Sequence, residues 1–163
     1  MRIARTLITT ALLALGSTAS AQELKDFGFT AGWQILIDPA LGNGCLIQQA
    51  FSPDSVVRLG YDAVGDRGYI TVFDRNWGQI KDGESYPVTF DLDGERFEAT
   101  AKGFYLGKVP GAGIFFTDRS FVDAIAQRKV MSIYGQNGKV TDIDLRGSAN
   151  ALKHARECQA AQG

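Results

Sequence analysis

The chain has 163 residues with 17 basic and 18 acidic side chains, which give a formal net charge of −1 at pH 7. No basic patch stands out along it, so neither nucleic acid nor an anionic membrane surface is favoured as a partner. With one histidine and two cysteines, the chain offers few metal ligands and few groups for nucleophilic catalysis.

The first residues are typical of a cleaved export signal. Arg2 and Arg5 provide a positively charged start. The apolar run that follows, Leu7–Leu15, is too short to span a bilayer, which needs about 20 residues. The small residues of Ala19–Ala21 then form the pattern that signal peptidase accepts. We therefore predict that residues 1–21 are a signal peptide cleaved after Ala21.

Cleavage there leaves residues 22–163, a normal length for a single domain with a buried core. The predicted signal places this domain in the periplasm, where disulfides form and persist. No later apolar run is long enough for a membrane helix. The 19 glycines recur between short apolar segments, which indicates many turns and a β-rich fold.

Short alternating or apolar runs predict four strands in the first half of the domain: Trp33–Ile37, Cys45–Phe51, Val56–Tyr61 and Tyr69–Phe73. Two hairpins follow, with strands predicted at Tyr86–Leu92, Arg96–Ala101, Val130–Tyr134 and Val140–Leu145. Their turn dipeptides, Asp93-Gly94 and Asn137-Gly138, accommodate the positive φ angles of a type I′ turn. Pro87 cannot donate to a central ladder, so we expect it at a strand start or on an edge.

The two predicted hairpins are similar in sequence layout. Their turn dipeptides and the glycines that close them, Gly103 and Gly147, recur at the same spacing. This layout fits a true internal repeat as well as it fits the ordinary similarity of tight hairpins. We predict a mainly β (α+β) domain, either an antiparallel β-sandwich or a partly open barrel, with two short helices and with two hairpin units that a repeat would relate.

The two helices are predicted at Asp118–Gln127 and after Gly147, where Ser148 is the expected N-cap. In the second helix one face carries four apolar residues at helical spacing: Ala151, Leu152, Ala155 and Cys158. Cys158 therefore points inward, towards the sheet that carries Cys45. A lone cysteine pair in an exported protein is usually a structural bridge. We predict a Cys45–Cys158 disulfide.

Catalytic and metal-binding patterns are weak. His154 lies off the apolar face of its helix and is expected near the surface. There is no Gly-x-Ser-x-Gly elbow, and bridged cysteines are not nucleophiles. The run Asp91–Glu95 resembles the start of a calcium loop, but Arg96 stands where that loop needs glycine and Lys102 where it needs glutamate. We predict no catalytic residue, no metal and no cofactor.

Three aromatic residues are the candidate binding residues. Trp77 lies between a strand and the first hairpin, and Phe104 and Tyr105 follow Gly103. Aromatic side chains on loops can form contact surfaces for peptides, glycans or proteins. In a small β-domain they can equally cover an open end of the core.

Five segments resemble the invasion-associated locus B family, which are small exported proteins of alphaproteobacteria. They are Gly32–Ile35, Cys45–Gln48, Phe121–Ile125, Lys129–Ile133 and Asp144–Leu152. The resemblance implies an envelope or host-interaction role without a defined reaction, and it carries over no catalytic residue.

We therefore expect a non-enzymatic, envelope-associated binding or accessory protein of the periplasm, whose partner is another exported or envelope protein. One alternative is a small hydrolase that cleaves cell-wall glycan or peptide with carboxylates, which needs a deep pocket with two close carboxyl groups. The other is a purely structural envelope protein. An aromatic surface near Trp77 and Tyr105 would favour partner binding.

Overall fold

A computed structural model describes residues 23–52 and 54–162. The predicted signal peptide and its cleavage site lie outside the described residues. Within that part of the chain the strands are β1 (Lys25–Thr30), β2 (Trp33–Asp38), β3 (Gly44–Ser52), β4 (Ser55–Asp62), β5 (Arg67–Asp74), β6 (Ser85–Leu92), β7 (Glu95–Leu106), β8 (Val109–Phe116), β9 (Val130–Gly135) and β10 (Gly138–Asp144). The helices are α1 (Ser120–Ala126) and α2 (Ser148–Ala160), and a 3-10 turn covers Pro39–Leu41.

The strands form one antiparallel sheet in the order β1-β2-β3-β4-β5-β8-β7-β6-β9-β10. Among the described residues β1 and β10 are not paired with each other, so the sheet stays open. The predicted mainly β fold with two helices is confirmed. One connection is unusual, because the chain between β5 and β6 has to cross two intervening strands, β8 and β7.

The sheet curls around a common core. Alternate residues of a strand face the same side, and the inward residues of distant strands meet in one cluster. Ile47 of β3, Leu59 of β4, Phe90 of β6 and Met131 of β9 all belong to it and are almost fully buried. Strands this far apart in one sheet can share a core only if the sheet bends back towards itself.

Strands β7 and β8 are paired over only part of their length. These strands pair only through Lys102–Leu106 and Val109–Gly113, beside their shared turn. Beyond these residues β7 is paired only with β6, and β8 is paired only with β5. The wedge between the diverging strands is filled by four phenylalanine rings with neighbouring centroids 4.8 to 6.4 Å apart: Phe90, Phe97, Phe116 and Phe121.

The disulfide joins α2 to β3 as predicted. Cys45 and Cys158 are bonded, with their Cα atoms 6.1 Å apart. The predicted apolar face of α2 is fully buried. The backbone N–H of Cys45 also donates to Oε1 of Gln159 at 2.9 Å. Helix α2 and strand β3 are therefore also held together by noncovalent contacts, in addition to the disulfide.

Ser148 does not cap α2, contrary to the prediction. The N-cap is Gly147, whose φ of 84° and close approach to the backbone leave no room for a side chain. A Cβ on Gly147 would lie 2.4 Å from the carbonyl oxygen of Ala31. Ser148 is instead buried, and its hydroxyl donates to the carbonyl of Ala126 at 3.2 Å. The serine thus connects the start of α2 to the end of α1.

The two hairpins are present, but their turns differ. Asp93 and Gly94 have φ angles of 54° and 97°, which fits the predicted type I′ turn. In the second hairpin Gly135 pairs with Gly138, so the turn residues are Gln136–Asn137. Asn137-Gly138 is therefore not the centre of a type I′ turn. β10 also carries a bulge after this turn.

The glycine-rich strand β8 is not among the strands predicted from the sequence. Gly111 and Gly113 lie in this strand. A Cβ on Gly111 would lie 2.3 Å from the ring of Phe73, and one on Gly113 would lie 2.8 Å from the ring of Phe104. These glycines therefore make room for aromatic side chains on the neighbouring strands.

Candidate functional site

The connection between β5 and β6, Arg75–Glu84, covers one end of the curled sheet, and we call it the crossover loop. It begins with an Asx turn in which Asp74 Oδ1 accepts the N–H of Asn76 at 2.8 Å. The N–H of Trp77 then donates to the carbonyl of Asp74 at 3.1 Å, and Ile80 N–H donates to the carbonyl of Trp77 at 3.1 Å. These successive turns direct the Trp77 side chain against the core.

The far end of the crossover loop is fixed on β7. Gly103 donates its N–H to the carbonyl of Glu84 at 2.8 Å and accepts the N–H of Gly83 at 2.9 Å. This close approach requires glycine, because a Cβ on Gly103 would lie 2.1 Å from the carbonyl oxygen of Lys81. Gly103 therefore allows the backbone of the crossover loop to lie directly against β7.

Two tyrosine hydroxyls hold the middle of the loop. Tyr105 donates its O–H to the carbonyl of Ile80 at 2.7 Å. The hydroxyl of Tyr86 accepts the N–H of Lys81 at 2.9 Å and is 3.2 Å from Oε2 of Glu84. The two hydroxyls thus hold the loop backbone at Ile80 and Lys81, shortly after Trp77.

A cavity of about 500 Å³ lies between the crossover loop and the sheet. We call it the Trp77 cavity. Its wall is made by the loop, by the start of β6, by the inner faces of β7 and β8, and by the β9–β10 turn. The lining residues are Asn76, Trp77, Gly78, Gln79, Ile80, Tyr86, Pro87, Val88, Ala101, Ala112, Ile114, Ile133, Gly135, Gln136, Asn137 and Val140. This volume is in the range of small-ligand sites.

Small side chains on the inner face of the sheet create this space. Along β7 the inward residues become smaller towards the cavity, from Phe97 through Ala99 and Ala101 to Gly103. On the adjacent strand β8, Ala112 also lines the cavity. Larger residues at these places would fill the end of the core, as the phenylalanine rings do elsewhere. The cavity is thus encoded in the sequence.

The start of β6 is open on the cavity side. Pairing of β6 with β9 begins only at Thr89, so within the described residues no strand pairs with that side of Ser85–Val88. Pro87 lies in this free stretch, which confirms its predicted edge position. A proline without an N–H discourages the addition of another strand there. We therefore expect a ligand to enter the cavity between the lining side chains, without pairing as an additional β-strand on β6.

The lining of the cavity combines an apolar floor with an uncharged polar rim. Among the residues that the structure describes, none of those that line it is Asp, Glu, Lys, Arg or His. The floor comes from alanine, valine and isoleucine side chains of the sheet. Four of the lining residues are exposed and carry side-chain amides, and we call them the rim: Asn76, Gln79, Gln136 and Asn137.

The three predicted binding residues do not form one surface. Trp77 is half-buried and lines the cavity, while Tyr105 is 47% exposed and supports the loop by its hydroxyl. Phe104 projects from the opposite face of β7, where its ring meets Phe115 with centroids 5.7 Å apart. Alternation along the strand separates Phe104 from Tyr105.

Five of the described aspartates have a lowered pKa, which is the opposite of what a general acid needs. At Asp62 burial acts to raise the pKa, but hydrogen bonds from Val64, Gly65 and Arg67 outweigh it and lower the pKa overall. Hydrogen bonds also lower the pKa of four other aspartates: Asp93, Asp118, Asp142 and Asp144. Glycoside cleavage needs a carboxylic acid with a raised pKa. These five groups instead accept hydrogen bonds that organise turns and strand ends.

The main charged cluster away from the cavity joins the helices to β4. Arg156 of α2 pairs with Asp123 of α1, and the hydroxyl of Tyr61 is 3.4 Å from the same carboxylate. Arg119 lies over the Tyr61 ring at 5.3 Å and pairs with Asp66 at 3.0 Å. Burial raises the pKa of Tyr61, and nearby Asp123 adds to this rise. The cluster therefore connects elements that are already in contact.

Metal-binding groups are not assembled in the described part of the chain, where no three His, Cys, Asp or Glu side chains are placed to hold an ion. His154 lies near the surface, with Nδ1 2.9 Å from Oε2 of Glu157. Both cysteines are in the disulfide. Neither described helix has the length and apolarity needed to cross a membrane.

Comparison with protein-family models, with curated proteins and with solved structures found no match to this chain. The candidate site therefore rests on its geometry alone.

Proposed function

We propose that this protein is a non-enzymatic binding or accessory protein that is exported to the periplasm, where it acts at the cell envelope on another exported protein. Its binding site is the Trp77 cavity. The observation that carries the proposal is the arrangement of this cavity: an apolar floor, an uncharged amide rim and a crossover loop fixed by Gly103, Tyr86 and Tyr105. A site held in place in this way before binding loses little entropy when its ligand binds.

Export and the host-interaction role belong to the same proposal. The signal-like N-terminus and the resemblance to invasion-associated locus B proteins support them. The disulfide is consistent with an oxidising compartment. The cavity favours binding over the two alternatives, because a hydrolase of the expected kind needs carboxylates in its pocket and a structural protein needs no cavity.

Site-specific photo-crosslinking in the exported fraction tests this function. A photoreactive amino acid replaces Asn137 at the cavity rim or, as a control, the exposed Lys153 of α2, which does not line the cavity. We expect a defined crosslinked partner from position 137 and none from position 153. The Val140→Asp change, which puts a charge in the cavity wall, should abolish the product.

The matched change is Val130→Asp. Val130 and Val140 are 40% and 44% exposed, and only Val140 lines the cavity. Val130→Asp should therefore leave the crosslink intact. A product that survives Val140→Asp, or equal products from positions 137 and 153, would contradict the proposed site.

A further inference from the structure

We infer that the ligand of the Trp77 cavity is an uncharged apolar side chain of a polypeptide segment, whose flanking backbone amides bind the rim. This inference rests on the proposed binding function and specifies the chemistry of its ligand. The rim and the floor of the cavity each restrict a different part of that ligand.

The floor selects against charge and against hydroxyl groups. Ala101 and Ile114 are 3% and 6% exposed, and Ile133 is 8% exposed, so a group that reaches them leaves water. Among the described lining residues there is no charged side chain to pair with a ligand charge. A charge or hydroxyl that is buried without a hydrogen-bond partner is strongly unfavourable. The part of the ligand that enters the floor is therefore apolar.

The rim selects for groups that both donate and accept hydrogen bonds. An Asn or Gln side chain offers one carbonyl acceptor and an NH₂ donor. Four exposed residues that line the cavity carry such amides: Asn76, Gln79, Gln136 and Asn137. A peptide backbone has the same pair of groups, one donor and one acceptor per residue. Backbone amides that flank an inserted side chain would thus meet amides of complementary chemistry.

Trp77 fits the same ligand at the boundary between the two zones. Its indole is half-buried and offers an apolar face, and indole rings are common anchors in protein recognition. A sugar is the other ligand that stacks on tryptophan and bonds to amides. Its hydroxyls extend from all its edges, however, and those directed at the alanine and isoleucine floor would stay unpaired. The two-zone lining therefore favours a peptide over a glycan.

Tryptophan fluorescence of the purified domain measures this selectivity. The chain has only two tryptophans, and Trp33 is fully buried. The probes are acetylated and amidated tripeptides Ala-X-Ala, with X as Leu, Asp or Lys, together with the disaccharide N,N′-diacetylchitobiose. We expect the Leu peptide to bind at least about tenfold more tightly than the Asp and Lys peptides, and the disaccharide to cause no change. In Trp77→Phe the fluorescence change should disappear.

Two wall variants complete the design. Val140→Asp should weaken binding of the Leu peptide, whereas Val130→Asp should not. Ala112→Leu, which fills the cavity without adding charge, should also weaken it, and this covers the case in which Val140→Asp lowers the melting temperature. Equal affinity for all three peptides, or binding of the disaccharide alone, would overturn the peptide inference while leaving a cavity-binding function. If the crosslinked product survives Val140→Asp and neither the peptides nor the disaccharide bind, the proposed binding function itself would be overturned.

Discussion

Removal of the disulfide is expected to cost a large share of the stability of the domain. The bond closes a loop with a sequence separation of 113 residues. In the chain-entropy model a loop of this length stabilises the folded state by about 4.8 kcal/mol at 25 °C. The free energy of unfolding of ordinary domains is only about 5–15 kcal/mol. The double variant Cys45→Ala/Cys158→Ala should therefore lose about a third of its free energy of unfolding at the upper end of this range and nearly all of it at the lower end.

The measurement is urea unfolding of the oxidised protein, the reduced protein and the double alanine variant, followed by circular dichroism. Both cysteines are fully buried, so truncation to alanine adds a packing loss that reduction does not. We expect reduction alone to lower the free energy of unfolding by about 4–5 kcal/mol, and the double variant to lose at least as much. A loss below about 1 kcal/mol, or free thiols in the exported protein by mass spectrometry, would refute the reasoning.

Three further changes test the supports of the fold and the loop. Asp93→Asn should lower stability at neutral pH, because the Asp93 carboxylate accepts two backbone N–H groups at the start of β9, which lower its pKa. A lowered pKa gives its full stabilisation above the unfolded pKa of about 3.9, and this stabilisation is lost as pH falls through the lower folded pKa. The difference between wild type and variant in the free energy of unfolding should therefore begin to shrink below about pH 3.9 and disappear only at still lower pH. Tyr105→Phe removes the hydrogen bond to Ile80 and should speed amide exchange in the crossover loop, at a global cost below about 1.5 kcal/mol; unchanged loop exchange would contradict this support. Gly103→Ala should push the loop off β7, because its Cβ would meet the Lys81 carbonyl at 2.1 Å. We expect the free energy of unfolding, measured by thermal unfolding, to fall by about 1–3 kcal/mol and peptide binding to weaken. A variant as stable as the wild type would show that the loop can move away from β7 at little cost, which contradicts this prediction.

The disulfide and the buried face of α2 could be predicted because each depends on a local pattern. Helical spacing places Ala151, Leu152, Ala155 and Cys158 on one side wherever the helix lies. The same holds for the Asp93-Gly94 turn, whose two residues adopt positive φ angles for local reasons. Local patterns also predicted the β-rich class.

Features that depend on neighbouring strands could not be predicted. Gly111 and Gly113 carry no strand signal in the sequence, because glycine is depleted in strands. In the fold they are strand residues that accommodate the rings of Phe73 and Phe104. Ser148 looks like a helix cap in sequence, but the close approach of Ala31 to Gly147 fixes the cap one residue earlier.

The candidate site was predictable only in part. Trp77 could be singled out as a loop aromatic, and it does line the cavity. Tyr105 and Phe104 are adjacent in sequence, and strand alternation sends them to opposite faces, so their proximity had no functional meaning. The amide rim was missed because Asn76 and Gln136 are separated along the chain, and only the crossing of the loop over β8 and β7 brings them to one opening.

The most direct test of a binding function in the Trp77 cavity is a nitrogen–proton correlation spectrum of the two indole N–H groups during titration with the Leu tripeptide. The Trp33 indole donates to the carbonyl of Arg146 at 3.1 Å and is fully buried, so it is an internal reference. We predict that the Trp77 signal shifts in a saturable way while the Trp33 signal stays fixed. A fixed Trp77 signal with this peptide and with the disaccharide would contradict the account.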